Sequence, residues 1–237
     1  MTPTGSQIGP HEANNWVSSS LRKPERDLGR VMSSRQALPI SIRVRVAGHH
    51  ARLTGAVIEQ LFCDLYRLHP SGPVLQEDQY ATLETVTVIG PEGRLRRIPV
   101  VGPPSRVNQI EISRTDALIL GIRAPVRESG DLIGTPGVTL EGPRSQVALG
   151  TGVICARRHV RMNPAEAGRL GLADRDFVEV STQSANRRRP QCLRNVLVRV
   201  APGYNLELVL DTDAANAAGL RTGDFVELAC RVGRDCP

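Results

Sequence analysis

The sequence predicts an all-β protein with short helices, built as two related small β-barrels. Three observations lead there. Ile40, Ile42, Val44 and Val46 alternate with Ser41, Arg43 and Arg45, the period-2 signature of a strand with one buried face. Further short apolar runs recur along the chain, with Gly and Pro between them and only short helical segments. Two sequence patterns are also repeated, which points to duplicated units.

The first 37 residues stand apart. They are rich in Ser, Pro, Gly and charge, as in a flexible tail. Within them Leu28, Val31 and Met32 fall at helical spacing after Pro24, preceded by Trp16, Val17 and Leu21. Two readings stay open for this segment: a disordered tail with a nascent turn, or a docking peptide that folds on a partner.

After the alternating strand come β-rich runs at 85–89, 98–101, 109–112, 137–140, 152–156, 177–180, 196–200 and 206–210. Such spacing fits small barrels rather than alternating βαβ units. The first repeat pairs His49–Thr54 (HHARLT) with Arg158–Asn163 (RHVRMN), each ending a strand and opening a helix capped by Thr54 or Asn163. The second pattern occurs three times, at Ser113–Gly121, Asn163–Gly171 and Asp211–Gly219: a cap residue, a helical turn, then glycine. Two of these continue into strands, at Asp176–Val180 and Asp224–Leu228.

Composition narrows the function classes. Of 237 residues, 40% are hydrophobic but only 3% aromatic, so the core is expected to be aliphatic. No run approaches the roughly 20 apolar residues of a membrane helix, and the polar N-terminus lacks a signal-peptide apolar segment, so a cytoplasmic location is expected. Five scattered cysteines form no CxxC pair, which argues against a disulfide framework or a cysteine zinc knuckle. The net charge of +6 favours phosphate-rich partners. Arg187–Arg189 reads as a solvated basic loop, and no aromatic residue interleaves it to stack bases.

His50 and His159 occupy equivalent places in the first repeat, and Glu111 ends a strand just before a capped helix. Each has an ordinary surface or core reading beside a ligand reading. The frames His50–Leu53 and Ala156–Pro164, together with Glu84–Pro91, Gln109–Ala117, Ser129–Gly137, Asn195–Val200 and Asp211–Ala217, are similar to the phosphate propanoyltransferases of bacterial microcompartments. The resemblance runs in order over about residues 38–229.

That resemblance implies two barrels that partly exchange strands along the chain. One is formed by 38–48 plus 157–229 and the other by 49–156, with 230–237 as a C-terminal tail. It implies acyl transfer between coenzyme A and inorganic phosphate, and a two-zinc site between the barrels. His50, Glu111 and His159 correspond to zinc ligands. Arg52 and Arg161 stand where the second histidine of each pair belongs, Val209 stands for a later histidine, and Ser105 for a phosphate-handling arginine, with Arg106 beside it. A guanidinium is never deprotonated at usable pH and cannot ligate zinc. A normal two-zinc centre is therefore not expected. Arg52 and Arg161 become candidates to bind phosphate or the phosphates of coenzyme A, with Arg106 a candidate catalytic arginine. His49 and Cys155 are possible substitute ligands outside the family positions.

Three functional expectations follow. One is a phosphate acyltransferase with weakened or altered chemistry, its tail able to act as a microcompartment targeting peptide. Another is a catalytically inactive module that binds or scaffolds, docked through residues 1–37. The third, a nucleic-acid binder, rests on net charge alone.

Overall fold

The computed structural model describes residues 40–76, 79–183, 185 and 188–231. The expected N-terminal tail and the candidate docking helix at 16–32 lie outside them, as does most of the expected C-terminal tail. Fifteen strands and four short helices are present among the described residues. The first half of the chain runs β1 (Ile40–Val46), β2 (His50–Arg52), α1 (Gly55–Leu61), β3 (Pro70–Gln76), β4 (Gln79–Ile89), β5 (Arg94–Gly102), β6 (Gln109–Glu111) and α2 (Arg114–Leu120). It continues with β7 (Val126–Arg127), β8 (Val138–Glu141), β9 (Gln146–Leu149) and β10 (Val153–Ala156). The second half runs β11 (His159–Met162), α3 (Pro164–Leu170), β12 (Phe177–Ser181), β13 (Cys192–Val200), β14 (Glu207–Leu210), α4 (Thr212–Ala218) and β15 (Phe225–Arg231).

Six strands close a barrel in the order β1-β14-β11-β13-β12-β15. The other nine form one sheet, β7-β10-β6-β2-β5-β4-β8-β9 with β3 added on β4, curled into a half-barrel. The protein is therefore all-β with short helices, as the alternation and repeats predict. Closure removes exposed strand edges from the first unit; the second remains open.

The chain changes unit twice. Ile42 and Val44 of β1 are buried in the closed-barrel core, whereas Ala51 and Leu53, a few residues later, are buried in the core of the curled sheet. The return crossing lies between Val153 and Val160. Both crossings lead into the strands that carry the repeated histidines. Each core is aliphatic; Ile42, Met162, Leu208 and Leu210 fill one, and Leu53, Ile98, Ile110 and Leu140 the other. Burying each such side chain stabilises the fold by about 1.5–3 kcal/mol.

The two units match residue for residue around the crossings. In the sheet, β2 runs parallel to β5 (Ala51 opposite Val100) and antiparallel to β6 (His50 opposite Glu111). In the barrel, β11 runs parallel to β13 (Val160 opposite Val198) and antiparallel to β14 (His159 opposite Val209). The register thus makes His50 the counterpart of His159, Arg52 of Arg161, and Glu111 of Val209. Both β5 and β13 also carry a register shift beside a non-glycine residue at positive φ, Arg97 (57°) and Asn195 (55°). These are paired β-bulges, which sharpen strand twist.

The helices follow their caps. Ser113 and Asn163 each make a capping box with the acid three residues on, and Asp211 accepts from Ala214 N. All three helices end at a left-handed glycine, Gly121, Gly171 and Gly219. Helix α1 has the Thr54 cap but ends at Phe62, in right-handed conformation, rather than at a glycine. The counterparts α2 and α4 meet where Thr115 N donates to Asp213 Oδ2 at 2.8 Å.

Candidate active site

The two crossings border a cavity of about 520 Å³, a volume suited to a small-molecule site. Both units line it: Arg45, Arg161, Arg199 and Tyr204 from the barrel side, Arg52, Pro99, Glu111 and Glu128 from the sheet side. His50, His159, Glu111, Arg52 and Arg161 all face this one cavity. Arg106 does not line it; its side chain is exposed, in the loop where Ser105 N donates to Leu53 O.

Each crossing holds its histidine in the same way. The Nδ1 of His159 donates to the Arg157 carbonyl at 2.8 Å, and the Nδ1 of His50 lies 3.2 Å from the Gly48 carbonyl. A carbonyl only accepts, so both rings carry the proton on Nδ1 and direct Nε2 elsewhere. The two Nε2 atoms then diverge in fate. That of His50 lies 3.8 Å from Glu111 Oε2. That of His159 accepts a hydrogen bond from Arg161 Nε at 3.1 Å. Burial first, and then the Arg161 guanidinium, push His159 down to about 4 against the pull of the Arg157 carbonyl. The neutral ring is the form that this hydrogen-bond pattern requires.

Glu111 is aimed by a network. Buried Gln109 donates from Nε2 to Glu111 Oε1 and to Ser129 Oγ, both at 2.7 Å, while its Oε1 accepts from Gly130 N at 2.7 Å. Gln109 escaped the sequence reading, although it lies two residues before Glu111 on the same strand face. Tyr204 was missed as well: its ring lies 5.5 Å from the Arg161 guanidinium carbon, a cation–π contact. Burial is also the main influence on Arg161, pulling it below the usual arginine range.

The cavity is basic. Five arginines line it (Arg45, Arg52, Arg157, Arg161 and Arg199) against three carboxylates, Glu111, Glu128 and Asp211. Arg199 is partly neutralised by Glu128 at 3.6 Å and Asp174 at 3.4 Å, and Arg45 lies 3.8 Å from Glu207. The remaining excess favours an anionic ligand.

A catalytic zinc takes about three protein donors and one open position. Among the described residues, no three His, Cys, Asp or Glu side chains form a group able to hold a metal ion. His49 is engaged with Asp116 Oδ2 at 3.2 Å. Cys155 is buried outside the lining, and burial first, then Asp211, push its thiol up to about 11. As placed, these donors do not assemble the two-zinc ligand set that the family resemblance implies.

Fold and site together define a paired β-barrel protein with a basic, histidine-bearing cavity at the strand crossings. The sequence profile of the phosphate propanoyltransferases matches residues 43–221. Curated relatives named phosphate propanoyltransferase include one from Thermotoga maritima, 45% identical over 78% of this chain and 87% of the relative. Others are from Klebsiella pneumoniae, 42% identical over 81% and 89%, and Priestia megaterium, 36% identical over 88% and 93%. The chain belongs to the phosphate propanoyltransferase family. No helix among the described residues is long and apolar enough to cross a membrane.

Proposed function

We propose that this protein transfers an acyl group, propanoyl or acetyl, between coenzyme A and inorganic phosphate in the cavity at the strand crossings. The observation that carries the reading is the meeting of Arg52, Arg161, His50, His159 and Glu111 in one basic cavity, in a chain of this family. A phosphate oxygen attacks the thioester carbonyl carbon, and the carbonyl oxygen becomes an oxyanion. The oxyanion collapses with cleavage of the C–S bond. Coenzyme A leaves as the thiolate and takes up the proton that phosphate releases.

Arginines serve this chemistry in two ways. They hold phosphate, or the phosphates of coenzyme A, in bidentate charge-assisted bonds. They also stabilise negative charge as it develops on the oxyanion. Holding both reactants in one cavity removes much of the entropic barrier. Pro99, Val100, Val101 and Ala81 give the sheet side an apolar wall for the acyl or pantetheine portion. Release of free thiol from propanoyl-CoA, measured with and without phosphate, tests the reading: phosphate-dependent thiol release supports it, and a rate indifferent to phosphate refutes it.

One observation favours a second reading. Val209 faces His159 where the other repeat has Glu111 facing His50, so only one of the two repeat-related imidazoles has a ligand-type side chain opposite it. On this reading the protein is an inactive binding module, docked to a microcompartment or another protein through residues 1–37. No phosphate-dependent turnover, together with capture of a partner that fails after deletion of residues 1–36, is its signature.

A further inference from the structure

We propose that Arg161, with its repeat counterpart Arg52 as a second arm, binds a phosphate dianion in the cavity without any metal ion. This rests on the reading above only in taking phosphate as the substrate anion.

The geometry around Arg161 carries the argument. His159 has one free lone pair, on Nε2, because its Nδ1–H is given to the Arg157 carbonyl. That lone pair accepts from Arg161 Nε. A metal ion and Arg161 therefore compete for the same two electrons, and one excludes the other. The guanidinium brings a permanent positive charge to the place where a cation would be ligated. Its neighbours hold it there: the Tyr204 ring lies against its carbon, and Nε is fixed by His159. Its two terminal nitrogens make no hydrogen bond among the described residues. They form the fork that matches two oxygens of one phosphate.

Arg52 repeats the pattern on the sheet side. It occupies the register position equivalent to Arg161, lines the same cavity, and its side chain makes no hydrogen bond or ion pair among the described residues. Most other arginines in the lining are already engaged: Arg199 with Glu128 and Asp174, Arg45 with Glu207, and Arg157 over the Phe177 ring. The Arg52 guanidinium and the two terminal nitrogens of Arg161, one group from each half of a duplicated fold, line one cavity whose remaining charge is positive. An anion with several oxygens satisfies both.

The test is calorimetric titration of inorganic phosphate into the full chain, purified and measured with chelator at constant ionic strength, against a chloride control. The expected result is saturable binding of one phosphate per chain in chelator, unchanged when zinc replaces the chelator. Arg161→Gln and Arg52→Gln should each weaken it at least tenfold. Arg161→Lys, which keeps charge but loses the fork, should fall between Arg161→Gln and the wild type. Circular dichroism identifies any variant that fails to fold, and the wild-type titration does not depend on the variants. No heat beyond the chloride control, or binding that appears only with zinc, overturns the proposal. The thiol-release assay on the same samples separates the two claims. Phosphate binding without turnover removes the transferase and leaves the clamp, whereas zinc-dependent turnover with no phosphate heat in chelator does the reverse.

Discussion

Arg161 Nε donates to His159 Nε2 at 3.1 Å, so the imidazole nitrogen facing the cavity is bound to a cationic side chain of its own strand. The two residues are separated by one position on β11 and share a strand face. Their contact ties the chemistry of the site to the presence of arginine rather than histidine at 161.

Replacing that arginine should change what His159 binds. Arg161→His combined with Val209→His removes the competing guanidinium and sets two further imidazoles near His159, since Val209 lies opposite it in the strand register. Three nitrogen donors suit a zinc ion. The double variant is expected to copurify with more zinc than the wild type. Equal zinc by elemental analysis would contradict the proposed competition.

Tyr204 acts through Arg161 and is a positioning residue. A desolvated cation–π contact is worth about 0.5–2 kcal/mol, so Tyr204→Leu should raise the KM for phosphate roughly two- to thirtyfold with kcat less affected. Tyr204→Phe keeps the ring and should stay near wild type. Arg106→Ala, at an exposed side chain outside the cavity lining, should perturb turnover less than Arg161→Ala.

Much of this architecture is legible locally. The alternation at Ile40–Val46 and the three cap–helix–glycine units depend on near neighbours, and they appear as expected. The repeat brought His50 and His159 forward for the same reason. Strand β3 was not foreseen because Pro70, Gly72 and Pro73 interrupt its pattern. Strand β9 was not foreseen because no residue in it is fully buried, so its hydrophobic alternation is weak. Closure of one unit and opening of the other depend on long-range pairings, such as β1 with β14, which no local pattern encodes. Tyr204 reaches Arg161 from a turn after Pro202–Gly203, with no periodic signal to announce it.

The repeated glycines should not be equally replaceable. Gly121 and Gly171 both lie at positive φ, 70° and 65°, where an L side chain costs about 1–2 kcal/mol. A Cβ at Gly171 meets nothing within 4 Å, whereas one at Gly121 would collide with the Cβ and Cγ of Glu92. Gly121→Ala is therefore expected to destabilise more than Gly171→Ala in urea unfolding.

Acid should release one specific anchor. Glu84 is buried and accepts from His69 Nδ1 at 2.8 Å, from His69 N at 3.1 Å and from Tyr66 OH at 3.0 Å. Burial pushes its carboxyl up, but the hydrogen bonds from His69 win and hold it below the usual 4.5. A depressed carboxyl stabilises the fold above its unfolded pKa, and that contribution is lost as pH falls through the folded value. Glu84→Gln should lower stability at pH 7 by about 1–3 kcal/mol and flatten the fall in Tm below about pH 4.5.

The most direct measurement is the rate of thiol release from propanoyl-CoA by chelator-treated protein as phosphate is varied. A guanidinium-held phosphate predicts a rate that saturates with phosphate and does not respond to added zinc. A rate that is absent in chelator and returns in proportion to zinc would contradict the account.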